Sequence, residues 1–297
     1  MAEIIDGKRI AAEIREGVGR EVAALRGKTG RVPGLGVVLV GDDPASAVYV
    51  RLKGRASEEA GIKSVQQTLP ARVSRERLLE VVDALNADPE INGVLVQLPL
   101  PPHLQESDII NKIDPAKDVD GVHPETVGRL VRGDEDCFFP CTPYGCRELI
   151  NRFVSELRGR HLVVVGRSNI VGKPLANMML QKNKSADCIV TVCHTAARDI
   201  GLYTRQADIL VVAAGRPGMI RGDMVKPGAV VIDVGINRIT DPNDPTKTRL
   251  VGDVDFEEVE RLASAITPVP GGVGPMTIAM LMKNTLKAFK VQNGLGE

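Results

Sequence analysis

No charge of either sign dominates this sequence: 38 lysines and arginines balance 38 aspartates and glutamates across 297 residues. Nucleic-acid binders and membrane-surface proteins usually need a net basic field, so neither a nucleic acid nor a membrane is an expected partner. A small molecule is. No apolar run approaches the ~20 residues of a membrane span. Residues 1–7 lead into a helical pattern without the basic segment and apolar run of a signal peptide, so the expected compartment is the cytoplasm. Cysteine is scarce: Cys137, Cys141, Cys146, Cys188 and Cys193 are odd in number and sparse, which argues against a disulfide framework. The first three lie close together, but there is no CxxC pair and no neighbouring histidine, so no metal is expected. The dinucleotide fingerprint GxGxxG is missing too.

What is present is alternation of strands and helices. Apolar residues make up 43% and charged residues 26%, as in an ordinary globular protein, and the length exceeds one core of ~100–200 residues. Ile10, Ile14, Val18, Val22 and Leu25 recur every three or four positions, which predicts an amphipathic helix. Residues 35–40 form an apolar run between glycines, a buried strand. A helix over 45–60 starts at Asp42-Asp43-Pro44 and stops at Gly61. A strand at 64–69, a helix at 74–86 and a strand at 93–98 complete a βαβαβ pattern with parallel pairing. After a proline-rich, charged stretch at 139–160, strands at 161–166, 188–194, 208–215 and 229–235 and a helix at 174–182 predict a second, nucleotide-binding sheet. A last helix over 276–289, with Ile278, Leu281, Met282 and Leu286 on one side, is expected to cross back. The expected architecture is α/β with two domains: a βαβ domain at 1–139 and 276–297, and a Rossmann-type parallel sheet at 140–275.

Several residues are placed for chemistry. Ser46, Tyr49 and Lys53 fall within a helical sector of about 60° and share a face. That face is either solvated, as suits Arg51 and Arg55, or a site, and the helix follows directly on a strand end, where ligands of open α/β sheets gather. Gln97 closes another strand before Pro99 and is placed either to bond Lys53 or substrate, or to satisfy loop backbone. In Lys117-Asp118-Val119-Asp120-Gly121 the carboxylates are either turn residues or, for Asp120 by preference, a pair of acceptors for a ring with adjacent N–H donors. The loop from Gly166 through Arg167, Ser168, Ile170, Val171 and Gly172 to Pro174 keeps the physical parts of a phosphate site: glycines, and a helix start with proline. Its alternative is a structural turn. The next strand ends Cys193-His194-Thr195 without the acid that holds the ribose of NAD, and with Arg167 nearby this favours NADP. His194 reads as a strand-end hydrogen-bonding residue in preference to a base.

Taken together, DPASAVYVRLK (43–53), QLPLPPH (97–103), KDVDGVHPETVGRL (117–130), PCTPYG (140–145), GRSNIVGKP (166–174), KPGAVVIDVGIN (226–237), GDVDF (252–256) and PVPGGVGPMT (268–277) resemble the methylenetetrahydrofolate dehydrogenase/cyclohydrolase family over nearly the whole chain. Eight ordered stretches are far more specific than one. The resemblance implies oxidation of methylenetetrahydrofolate with NADP and hydrolysis of the methenyl product to 10-formyltetrahydrofolate, in one shared cleft between the domains of a homodimer. It makes Lys53 the general acid/base, Tyr49 a stacking residue, Gln97 the residue that tunes Lys53, and Asp120 the pterin ligand. It puts Ser46, Pro268, Gly271 and Gly272 on the folate side. On the cofactor side it puts Gly166, Arg167, Ser168, Ile170, Val171, Gly172, His194, Thr195, Gly235 and Ile236. Thr195 departs from the serine of many members but keeps a hydroxyl. The competing readings are another two-domain dehydrogenase, such as one acting on shikimate or an amino acid, and a catalytically silent NADP-binding protein.

Overall fold

The computed structural model describes residues 1–134, 136–241 and 244–296, the side chain of Pro245 excepted. In chain order the elements are β1 (Glu3–Ile4), α1 (Gly7–Thr29), β2 (Gly34–Val40), α2 (Pro44–Glu59), β3 (Lys63–Leu69), α3 (Arg75–Ala87), β4 (Gly93–Val96), α4 (Glu106–Ile110), α5 (Pro124–Arg132) and α6 (Cys141–Phe153). There follow β5 (His161–Val165), α7 (Gly172–Leu180), β6 (Ile189–Cys193), α8 (Gly201–Thr204), β7 (Ile209–Val212), β8 (Val230–Asp233), β9 (Asn237–Asp241), β10 (Asp244–Val251), α9 (Phe256–Val259), β11 (Ala265–Ile266) and α10 (Val273–Gln292). Two compact units result: Met1–Ala11 with Thr142–Thr277, and Ala12–Cys141 with Ile278–Glu297. The first eleven residues, expected with the first domain, cluster with the other unit because β1 pairs in parallel with β11, Ile4 opposite Ile266.

The unit built on residues 12–141 and 278–296 holds a parallel three-stranded sheet in the order β3-β2-β4. β2 lies in the middle and every residue of it is buried, which is why its sequence runs apolar without alternation. Ser74 caps α3 by accepting from the Arg77 N–H at 3.2 Å, and Leu78, Val81, Val82 and Leu85 bury its inner face against the sheet. Full burial of such side chains stabilises by about 1.5–3 kcal/mol each. At the other end of α3 the ammonium of Lys117 donates to the carbonyls of Leu85 (3.2 Å) and Asn86 (2.6 Å), which the helix leaves free, and to that of Asp88 (2.8 Å), just past its end. Burial pushes the pKa of Lys117 below the ordinary lysine value. α10 returns to this unit as expected. Asn284 donates to the carbonyls of Val119 (2.8 Å) and Phe139 (2.9 Å), and Gln292 to those of Asn92 (2.9 Å) and Ala116 (2.8 Å).

The unit built on residues 1–11 and 142–277 carries a six-stranded sheet in the order β1-β11-β8-β7-β5-β6, every pair parallel. From β5 the chain steps to β6 on one side, then crosses to β7 on the other. The strand order therefore reverses between β5 and β7, and the carboxyl ends there are where such sheets take ligands. Several features lie outside the sequence expectation, among them the short elements β1, α8, α9 and β11. α6 occupies part of the stretch read as a connection, with Tyr144, Cys146, Leu149 and Ile150 buried. β9 and β10 form an antiparallel hairpin. α7 starts at Gly172, so Pro174 sits within its first turn, where a missing N–H costs nothing.

Lys117→Met keeps the length of the stem and removes the donors. Its expected effect is a loss of roughly 1–3 kcal/mol, the cost of leaving buried carbonyls unpaired. A urea titration reads this as a lower midpoint at unchanged slope; an unmoved midpoint would mean that water replaces the ammonium without cost.

Candidate active site

α2 begins where the chain leaves β2. The carboxylate of Asp43 accepts the Ser46 N–H at 2.7 Å and Pro44 opens the first turn, so the helix start is fixed beside the strand end. The face predicted to be shared is turned inward: Ser46 is 4% and Lys53 7% exposed, and half-buried Tyr49 has its phenol pKa raised by burial. Arg51 and Arg55 are exposed, and Arg55 pairs with Glu59 at 2.8 Å. The solvated alternative therefore holds for the arginines and fails for the lysine. Lys53 Nζ donates to Gln97 Oε1 at 2.9 Å. Gln97 Nε2 is committed to the Leu98 carbonyl at 2.6 Å, so the amide presents its oxygen, its only acceptor, to the ammonium. β4 ends at Val96, two residues earlier than expected, and Gln97 follows it directly.

The two carboxylates of the Lys117-Asp118-Val119-Asp120 stretch divide the work. Asp118 is fully buried and accepts the N–H groups of Val122 (3.2 Å) and His123 (2.9 Å), the turn role. Burial nonetheless raises its pKa, against those hydrogen bonds. Asp120 is half-buried. Near it lies Cys141, a residue the sequence reading weighed only as a metal ligand. Its thiol is buried, donates to the Val119 carbonyl at 3.4 Å, and has its pKa pushed well above the ordinary value by burial and then by the charge of Asp120. The charge of Lys53 acts in the opposite direction, so the thiol lies within electrostatic range of both residues. The PCTPYG stretch was the signal that could have marked it.

In the other unit the phosphate-type loop is shaped by close approach. Gly166 has φ 138°, and a Cβ there would collide with the carbonyl oxygen of Ala213; one on Gly172 would collide with the carbonyl oxygen of Gly166. Ser168 Oγ accepts the N–H groups of Val171 (3.1 Å) and Gly172 (3.4 Å). Val171, the residue before α7, offers no side-chain cap; the first-turn N–H groups are bonded within the loop, Gly172 to Ser168 Oγ and Lys173 to the Ser168 carbonyl at 3.1 Å. Arg167, Ser168 and Ile170 are exposed around it. β6 ends at Cys193; His194 Nδ1 accepts the Ala196 N–H at 3.2 Å, a strand-end role, and Thr195 is exposed. Gly271 and Gly272 sit in a tight loop, with Gly272 N–H on the Pro268 carbonyl (2.9 Å) and Lys8 N–H on that of Gly271 (2.9 Å). Among the sequence-predicted site residues, Ser46, Tyr49, Lys53, Gln97 and Asp120 thus fall in one unit. Gly166 to Gly172, His194, Thr195, Gly235, Ile236, Pro268, Gly271 and Gly272 fall in the other.

Residues 5–120 match the tetrahydrofolate dehydrogenase/cyclohydrolase catalytic domain, and residues 140–293 the NAD(P)-binding domain of the same family. The bifunctional protein FolD of Chlorobium luteolum is 58% identical over 293 residues, 98% of this chain and 99% of that protein. The chain belongs to the tetrahydrofolate dehydrogenase/cyclohydrolase family. Among solved structures, the bifunctional FolD dehydrogenase/cyclohydrolase of Campylobacter jejuni superposes with a TM-score of 0.91 at 47% identity, covering 98% of this chain and 99% of that one. The Trypanosoma brucei dehydrogenase-cyclohydrolase, complexed with NADP cofactor and inhibitor, gives 0.92 at 41% identity and 98% coverage of both chains.

In this family member the stretch that ends β8 is held by a buried acid. Asp233 Oδ1 accepts the N–H groups of Gly235 (2.9 Å) and Asp253 (3.0 Å), and Oδ2 that of Val254 (2.9 Å). Burial outweighs these donors and raises its pKa from 3.8 to about 7. Between those values the unfolded chain gives up the proton and the folded one keeps it. The stability from the neutral form is therefore fully present below about pH 4 and is lost as pH rises through about 7. Melting temperatures across that range should fall with pH at this site, and Asp233→Asn should flatten the dependence; an identical profile in the variant would show that the carboxyl does not titrate there.

Proposed function

We infer that this chain oxidises methylenetetrahydrofolate to methenyltetrahydrofolate with NADP and hydrolyses the methenyl form to 10-formyltetrahydrofolate. The observation that carries this reading is the buried ammonium of Lys53 held 2.9 Å from the Gln97 oxygen, within the stretch that matches the catalytic domain. Oxidation asks little acid–base work of the protein, because a substrate nitrogen lone pair drives hydride off the methylene carbon; positioning dominates. NADP, when bound, supplies the hydride acceptor. The residues fit its phosphates: Gly166 and Gly172 clear room for backbone approach, the positive dipole end of α7 points there, and Arg167 and Ser168 are exposed beside it. Arg167, together with the absence of an acid after β6, favours the 2′-phosphate. His194, Thr195, Gly235 and Ile236 line the same side.

Hydrolysis needs a proton carrier. Water adds to the methenyl carbon and loses both its protons in becoming the formyl oxygen, and the ring nitrogen takes one as its bond to that carbon breaks; the net reaction releases one proton. Lys53 Nζ is the group that moves the proton, and Gln97 holds it at one position. Tyr49 stacks on the folate, Asp120 accepts the adjacent N–H donors of the pterin, and Ser46 lies on the same helix face as Tyr49. A homodimer is supported by the free edge of β6, where Ile189 and Val192 are 63% and 42% exposed, since such an edge pairs readily with a second copy. No helix among the described residues is long and apolar enough to cross a membrane, and the compartment proposed is the cytoplasm.

Lys53→Met separates the two activities. Loss of methenyl absorbance, corrected for spontaneous hydrolysis, should slow by at least the ~10²–10⁴-fold ascribed to general acid/base catalysis. NADP reduction in the same preparation should fall less. Hydrolysis at near the wild-type rate would remove Lys53 from the mechanism.

A further inference from the structure

Asp253, in the Gly252-Asp253-Val254-Asp255-Phe256 stretch, is fully buried, yet the chemistry above gives its side chain no part. Its Oδ2 accepts the backbone N–H groups of Ala214 (2.7 Å) and Gly215 (2.8 Å). Its Oδ1 accepts the Arg216 N–H (2.9 Å) and the Asn237 side-chain amide (2.8 Å). The first three donors belong to the loop that leaves β7 and the fourth to the segment that leaves β8. A carboxylate with four donors around it is saturated and has no capacity left for a substrate proton.

The two loops matter because of where they stand. β7 neighbours β5 at the point where the strand order reverses, the place at which open α/β sheets take their ligand. The β7 exit loop touches the phosphate loop directly: Ala213 accounts for the space that Gly166 leaves empty, and the Ala213 N–H bonds the Val165 carbonyl at 2.8 Å. On the other side the β8 exit carries Gly235 and half-exposed Ile236, and a Cβ on Gly235 would collide with the Asp253 carboxyl group itself. One buried acid thus braces the floor under the phosphate loop and the strand end that presents Ile236.

We propose that Asp253 is a positioning residue for the dinucleotide: by clamping the β7 and β8 exit loops it sets the affinity for NADP and leaves the folate chemistry alone. The inference rests on the placement of NADP at the carboxyl ends of β5 and β7. Asn at this position keeps the size and one acceptor but turns an NH2 group toward N–H donors, so half of the clamp is lost.

The test is Asp253→Asn in the full chain, with NADP titrated by direct binding, KM and kcat measured for both activities, and Arg167→Ala run in parallel. The expected result for Asp253→Asn is a rise of at least tenfold in the NADP dissociation constant and in KM for NADP. Methenyl hydrolysis, which uses no dinucleotide, should stay within about twofold of wild type in the same preparation. If both activities fall together, Asp253 is a general structural acid and the proposal fails. If Arg167→Ala weakens NADP while Asp253→Asn does not, the positioning role alone is lost; if neither changes NADP binding, the placement of the cofactor falls with it. Should Asp253→Asn not fold, Asn237→Ala removes one donor and leaves the acid in place. It should raise the NADP dissociation constant about threefold or more with hydrolysis unchanged, and an unaltered constant would overturn the proposal.

Discussion

A buried ammonium is costly unless hydrogen-bonded, because taking an ion of that size out of water costs several kcal/mol even after relaxation. In this protein the Lys53 ammonium is taken out of water and given the Gln97 oxygen. Much of the unit on residues 12–141 is arranged around that one contact. Asp43 and Pro44 fix the start of α2, so that the seventh residue after Ser46 points inward with it. β2 and β4 are parallel neighbours, Val38 opposite Val96, which brings the exit of β4 beside the helix that follows β2. The Leu98 carbonyl then orients the amide. Without the exit of β4, Lys53 would lose the Gln97 oxygen as its acceptor.

Four other buried ionisable groups follow a contrasting rule: they are bonded mainly to backbone. Lys117 is used up on the end of α3, Asp118 on the turn at 122–123, Asp233 on the β8 exit, and Asp253 on the exits of β7 and β8. Each ties down a helix end or a loop. The residues left with capacity for a substrate or cofactor are those half-buried or exposed beside them, among them Asp120 and Arg167. This division of labour between saturated and unsaturated polar groups separates scaffold from site more clearly than burial does, since Lys53 is as buried as Lys117.

Much of this was legible in the sequence, and the reasons for the rest are physical. The apolar run of β2, the Asp-Pro start of α2 and the inward face of Ser46, Tyr49 and Lys53 follow from local pattern alone. α6 was hidden because Pro143, Gly145 and the charges after it resemble a loop until tertiary burial of Leu149 and Ile150 decides otherwise. β1 and β11 are two residues each and show no period. Both Asp118 and Asp120 can bond a turn in the sequence, and only the positions of the Val122 and His123 N–H groups show that Asp118 does. Cys141 and Lys117 act on groups that the fold, not the sequence, brings to them.

The central claim is that Lys53 and Gln97 act as one unit in hydrolysis, and a double-mutant cycle tests it most directly. Cyclohydrolase rates are measured for wild type, Lys53→Met, Gln97→Met and the doubly substituted chain, with folate binding followed in each. Groups that share one function are strongly non-additive. The account predicts that the doubly substituted chain hydrolyses the methenyl form no more slowly than Lys53→Met alone; losses that multiply would contradict it and make Gln97 an independent contributor.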